Sequence, residues 1–414
     1  MTLVQTYLLS HSLSELKTEH GIDFRPFNHK VSLNYNQIEA RDDDPIAQEC
    51  RGLVLAPVGP MTTDSVFGAS IVLARPFNRF FNMEQGAAAK VDFNDSDLRF
   101  YEKLDGTMTI LYFDSIVNQW HVATRSVSEA NLPVDGFAEY TFRTLFERAC
   151  VETTGIDFDQ FVSHLDKTIT YLFELTTPLN RIVVKYDTYR ITLLGARETV
   201  TGREIDPVVL APTMPNGIVH APNYRLGSIP DMVTFVTSRN PEEHEGIVVC
   251  DSNFRRVKVK NPAYLALTRI RDSVVASPRS LLELILLEKF DDAVSILPEH
   301  IVKLGNNLRT GLVMMNKDIE VQWNTCKNIA DNLASINDSP KEHRKQFAIA
   351  INQTASWMPP LMDRYTGHSD SMIAWVMNNR TNNGTWSASF LTALYSRIVE
   401  MMIVEHEEEE VVID

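Results

Sequence analysis

Glycine and proline are distributed so unevenly along this chain that it divides in two. Thirteen of the 17 glycines and 14 of the 19 prolines precede Ser273, and the remaining 142 residues hold four and five. Both residues punctuate regular structure, so the first part reads as short strands broken by turns. Strands are expected at Thr107–Phe113, Thr168–Leu175, Arg181–Tyr186, Ile191–Leu194, Gly246–Cys250 and Arg256–Lys260. The first 45 residues read as an antiparallel lead-in to this body. In the second part Leu308, Leu312, Met315, Ile319, Trp323, Cys326, Leu333 and Ile336 recur mostly every three or four residues, a helical stripe suited to a packed core. Ser277-Pro278 reads as the cap and first residue of a helix over Leu281–Phe290, and Pro340 and Pro359-Pro360 punctuate later helices. The expected layout is an α+β domain over residues 1–272 and an all-helical domain over 273–414.

Charge and cysteine content narrow the class. The formal net charge is −15, which argues against a polyanion partner until its distribution is read. Six carboxylates fall in the last ten residues, Glu405, Glu407 to Glu410 and Asp414, and read as a solvated, frayed end. Basic residues cluster elsewhere, at Arg255, Arg256, Lys258, Lys260, Arg269 and Arg271. Cys50, Cys150, Cys250 and Cys326 stand far apart and suggest neither a zinc cluster nor a disulfide framework. No signal-like segment or membrane-length apolar run is evident, so a soluble, cytoplasmic protein without a membrane partner is expected.

The informative segment is Lys103-Leu-Asp105-Gly106-Thr107, leading into a strand-like run. Upstream stand Glu49-Cys-Arg51-Gly52 and Arg75-Pro76-Phe-Asn-Arg79-Phe80-Phe81-Asn82. Downstream come Phe173-Glu174, Pro178-Leu-Asn180-Arg181-Ile-Val, Glu245-Gly246 and Lys258-Val-Lys260. In this order the blocks resemble the collinear motifs of covalent nucleotidyltransferases, and most of all the bacteriophage RNA ligase 1 family, the ATP-dependent tRNA-repair ligases of T-even phages. The resemblance spans roughly residues 30 to 270.

That resemblance implies a nucleotidyltransferase (ATP-grasp-like ligase) domain of antiparallel sheets with helices. It implies Lys103 as the nucleophile that takes up AMP, with Lys258 and Lys260 holding the transferring phosphate. Arg51, Arg79 and Glu174 would contact the nucleotide, and Glu245 would serve a catalytic Mg²⁺, for which Mn²⁺ can substitute. Arg79 stands where the family commonly has lysine, and Asp105 would orient the loop. The implied substrates are ATP and single-stranded or nicked structured RNA, such as a tRNA anticodon loop, in a host cytoplasm if the chain is phage-encoded. No protein partner is evident.

The side-chain chemistry agrees. A lysine must lose its proton to attack phosphorus, against an ordinary pKa of ~10.4. In Arg256-Val-Lys258-Val-Lys260 the strand period of two sets three cations on one face, and nearby cations would lower that pKa. Glu245 opens an apolar run where a lone carboxylate is costly, and a magnesium ion would offset the cost. Phe81 reads as core packing and Asp291-Asp292 as an exposed helix face. Tyr171 and Phe173 are candidates to stack on adenine. The competing readings are a DNA ligase, a GTP-dependent capping-type transferase, and an inactive RNA-binding scaffold.

Overall fold

The computed structural model describes all residues except 37–38, 135–136, 276, 288–289, 295–296, 335–338, 355–356, 370, 382–385 and 412–414. The chain forms two compact units, Met1–Thr268 and Arg269–Asp414.

The first unit is α+β and carries three main sheets. Two short helices, Leu3–Leu8 and Leu13–His20, open it, each with a capping box at Thr2 or Ser12. Only the hairpin that follows, Ile22–Phe27 with Lys30–Tyr35, fits the expected antiparallel lead-in. It continues through Arg51–Pro57 and Ser70–Ala74 as a four-stranded antiparallel sheet. A central five-stranded sheet orders Glu204–Ile205, Arg190–Glu198, Ile169–Thr176, Thr107–Asp114 and Gln119–Ala123, all antiparallel. The third sheet orders Asn223–Tyr224, Arg99–Glu102, Gly246–Cys250, Arg256–Lys260 and Phe81–Asn82, the last pair being parallel.

Strand alternation assigns every face. On one side of the central sheet Leu111, Tyr171, Phe173 and Leu175 pack under the helices Phe142–Thr154 and Phe158–Ser163. Tyr171 and Phe173 are therefore core residues rather than a stacking platform for a base, with exposures of 2% and 0%. Leu172 and Ile110 point the other way, against Val54, Leu73 and Phe77, and Glu174 shares their face by the same period. In the third sheet Val257 and Val259 join Phe100, Ile247 and Val249 against Met232 and Val236 of the helix Ile229–Thr237. Val248, Cys250, Arg256, Lys258 and Lys260 are left on the opposite face.

One expected strand is absent. Residues 181–186 form turns and coil, because the backbone N–H groups of Val183 and Val184 both donate to Asp105 Oδ2 at 2.8 Å. A carboxylate has taken donors that a neighbouring strand would otherwise receive.

Every regular element among the described residues of the second unit is a helix. Pro278–Leu286 begins at Ser277, whose side chain accepts from Arg279 N. Its end at Leu286 falls short of Phe290, and residues 288–289 lie outside the described set. The long helix Glu299–Ala334 buries Leu308, Met315, Ile319 and Cys326. Trp323 meets Phe347 of the helix Pro340–Thr354 at 5.4 Å between ring centroids. Ile336 lies outside the described residues, as do the side chains of Leu333, Asp291 and Asp292. All four cysteines are free and buried. No described helix is long and apolar enough to cross a membrane.

Candidate active site

Lys103 follows directly on the strand Arg99–Glu102, and its N–H donates to Gly246 O at 2.9 Å. This register sets the lysine beside Glu245. The Lys103 ammonium meets Glu245 Oε2 at 2.6 Å, and Lys260 meets Oε1 of the same carboxylate at 2.7 Å. Glu245 is only 3% exposed, so its two oxygens are divided between two lysines in a nearly dry setting.

Asp105 ties the loop down. Beyond Val183 and Val184, its Oδ1 accepts from Tyr264 OH at 2.7 Å, and its N–H donates to Tyr186 OH at 3.2 Å. Gly106 N donates to Glu174 Oε1 at 3.0 Å. A Cβ at Gly106 would run into Leu175 O, so glycine is required here by close approach of the backbone. Tyr264 and Tyr186 escaped the sequence reading because a tyrosine carries no local signal of a partner that far away in the chain.

The proton affinities follow from this arrangement. Burial works to lower that of Lys103, but Glu245 and Glu174 outweigh it and hold the lysine above its ordinary value. The expectation that the cationic strand would depress Lys103 is therefore not met; the carboxylates are closer. The depressed lysine is Lys258, at about 7, through burial and then Arg51, Lys103 and Lys260. Burial pushes Glu174 up to about 7, with Lys103 opposing and Glu245 adding to the shift.

Between the central and third sheets lies a cavity of 270 Å³, walled by Arg51, Phe80, Tyr101, Met108, Leu194 and Val248 among others. Arg51 sits over the Phe80 ring at 5.1 Å and Lys258 at 4.7 Å. Arg51 Nη1 is buried without an acceptor, which leaves a donor for an incoming oxygen. Phe80, rather than Phe81, faces this cavity. Phe81 is 4% exposed and pairs its backbone with Val257.

Arg79 stands apart from the lysines. It pairs with Asp42 at 2.6 Å and stacks on Tyr35 and Phe81, at 4.2 and 4.7 Å. Arg256, on the same strand face as Lys258, is drawn to Glu204 at 2.6 Å and covers Phe77 at 4.1 Å. Thus Lys103, Glu245, Lys260, Lys258, Glu174 and Arg51 form one electrostatic set, and Arg79 belongs to a neighbouring one.

Glu245 and Glu174 offer hard oxygen donors. No group of three or more His, Cys, Asp or Glu converges among the described residues. That donor set fits a cation such as Mg²⁺, which takes one or two carboxylates and completes its shell from water and phosphate. It does not fit an all-protein metal cage.

A family model described as RNA ligase matches residues 49–264, just over half of the chain. The RNA ligase of Rhodothermus phage RM378 is 26% identical over 358 residues, covering 73% of this chain and 77% of that protein. A protein of Autographa californica nuclear polyhedrosis virus, named as a bifunctional polynucleotide kinase/RNA ligase, is 28% identical over 302 residues. That match covers 68% of this chain but spans only 38% of the viral protein. Among solved structures, an archaeal ATP-dependent RNA ligase aligns with a TM-score of 0.43 and 13% identity over 64% of each chain.

Proposed function

The chain belongs to the phage-type RNA ligase 1 family, and from that premise we propose that it is an ATP-dependent RNA ligase that seals 5′-phosphate to 3′-hydroxyl ends. The observation that carries this reading is the contact of Lys103 with Glu245, itself shared with Lys260, at the mouth of a cation-lined set that includes Lys258.

In the first step Lys103 Nζ attacks the α-phosphorus of ATP. An N–P bond forms, the α–β bridging P–O bond breaks, and pyrophosphate leaves. In the second, an oxygen of the RNA 5′-phosphate displaces the lysine, whose nitrogen regains a proton. In the third, the 3′-hydroxyl attacks the adenylated 5′-phosphate and AMP departs. Each displacement is in line, so the residues act by positioning and charge. Lys258 and Lys260 neutralise the phosphate oxygens, and Arg51 Nη1 supplies a further donor. Asp105 holds the loop so that Lys103 reaches phosphorus.

Lys103 as an ammonium has no lone pair for attack, and Glu245 Oε2 is the atom placed to hold or release its proton. Glu245 and Glu174 are the residues that would hold a Mg²⁺, which would supply positive charge near the transferring phosphate. Mn²⁺, another divalent cation suited to carboxylate, water and phosphate oxygens, would be a fitting substitute.

The helical unit Arg269–Asp414 would select the RNA, with a nicked anticodon loop of tRNA as the proposed repair substrate. The test is incubation of pure protein with α-labelled ATP or GTP and magnesium, then mass spectrometry. The expected result is AMP on Lys103 and preference for RNA over DNA ends in sealing. Labelling by GTP, sealing of nicked duplex DNA alone, or an adduct on another residue would overturn it.

A further inference from the structure

A second cavity, of 310 Å³, lies beside the first and shares Phe80 and Arg256 with it. Four guanidinium side chains line it, Arg79, Arg197, Arg255 and Arg256, in a chain whose net charge is −15. Glu204 also lines it and serves two of them, meeting Arg197 at 2.9 Å and Arg256 at 2.6 Å. Arg79 meets Asp42, and Arg255 meets Asp251, each at 2.6 Å.

Four cations therefore share three carboxylates, and one positive charge is left over. The excess sits in a poorly hydrated place, since Arg197 is 8% exposed. Burial, and then the cations Arg75 and Arg256, work against its proton more than Glu204 works for it. Arg79 Nη1 and Arg197 Nε are both buried without an acceptor. A buried excess of positive charge and unused donors are costly. A phosphate accepting from guanidinium forks would relieve both.

We propose that this cavity binds a phosphate of the RNA strand, as a site separate from the lysines that hold the reacting phosphate; this rests on the RNA-ligase reading. Two observations favour RNA over the β- and γ-phosphates of the nucleotide. Arg256 and Lys260 are at opposite ends of one strand, roughly 13 Å apart at 3.3 Å per residue, and the lysine that receives AMP is at the Lys260 end. The cavity is open to a strand arriving from solvent, because Arg255, which lines it, is 43% exposed.

The test uses the full chain and a short 5′-phosphorylated single-stranded RNA, with Kd read by fluorescence anisotropy across a salt series. Arg255→Ala, at a half-exposed position, and Arg197→Lys, which keeps charge but loses the fork, should each weaken binding severalfold. Arg255→Ala should also flatten the slope of log K against log salt by about 0.7, the share of one phosphate contact on a single strand, whereas Arg197→Lys, which keeps the charge, should leave the slope as it is. The KM for ATP in lysyl-AMP formation should not change. A raised ATP KM with RNA binding intact would give the cavity to the nucleotide and overturn the proposal. So would weaker RNA binding by Arg255→Ala with an unchanged salt slope, or unchanged RNA binding in both variants. RNA binding is read without catalysis, so failure of the parent protein to adenylate Lys103 would sink the ligase reading by a different result.

Discussion

At the scale of single residues, the contact between Lys103 and Glu245 sets the chemistry. Lys103→Ala should abolish the AMP adduct while leaving sealing of pre-adenylated RNA, as followed by gel; sealing by this variant with ATP alone would remove the lysine from the first step. Because Glu245 and Glu174 hold Lys103 above its ordinary proton affinity, adduct formation in single-turnover assays should climb with pH. The gain should approach about tenfold per unit through the neutral range, as the free-amine fraction grows. Glu174 gives a second pH signature. Its folded pKa of about 7 exceeds the ordinary 4.5, so the stability it contributes is complete below 4.5 and lost as pH rises through 7. Glu174→Gln should therefore match the parent near pH 4.5 and exceed it at pH 8, by up to about 3 kcal/mol, in thermal melts of the protein without nucleotide. Equal melting curves at both pH values would refute the assignment.

At the scale of elements, the strand Arg256–Lys260 was legible before folding. Its valines demand a core and its cations demand water or anions, and a period of two serves both. Gly246–Cys250 was equally clear, since an unbroken apolar run of that length is a buried strand. Arg181–Tyr186 misled because its β-branched residues have strand propensity, while the deciding partner, Asp105, lies 78 residues away from Val183. The paired Phe80 and Phe81 could not be told apart without the parallel register to Val257 that turns Phe81 inward. Gly246 is a junction of the same kind: its φ is +149°, and a Cβ there would strike Val259 O. Gly246→Ala should cost about 1–3 kcal/mol. It should also slow the adduct step more than Val248→Ala does, because Glu245 and the backbone of Lys103 are both attached at that point. A variant with parent melting temperature and parent adduct rate would show the junction to be tolerant.

At the scale of the whole molecule, each unit has its own buried core. The segment Met1–Thr268 on its own should therefore take up AMP on Lys103 and lose discrimination among RNA ends, measured as kcat/KM on structured against unstructured RNA. Retained discrimination would move substrate choice into the first unit. By itself the sequence determined the alternation of strands, the helical stripe and the chemical types available, because these follow from local periodicity and side-chain chemistry. Only the tertiary structure decided which carboxylate lies against which cation. Coulombic energy depends on through-space distance and burial, and it is these that hold Lys103 above its ordinary proton affinity, bring Lys258 down to about 7 and leave four arginines sharing three carboxylates.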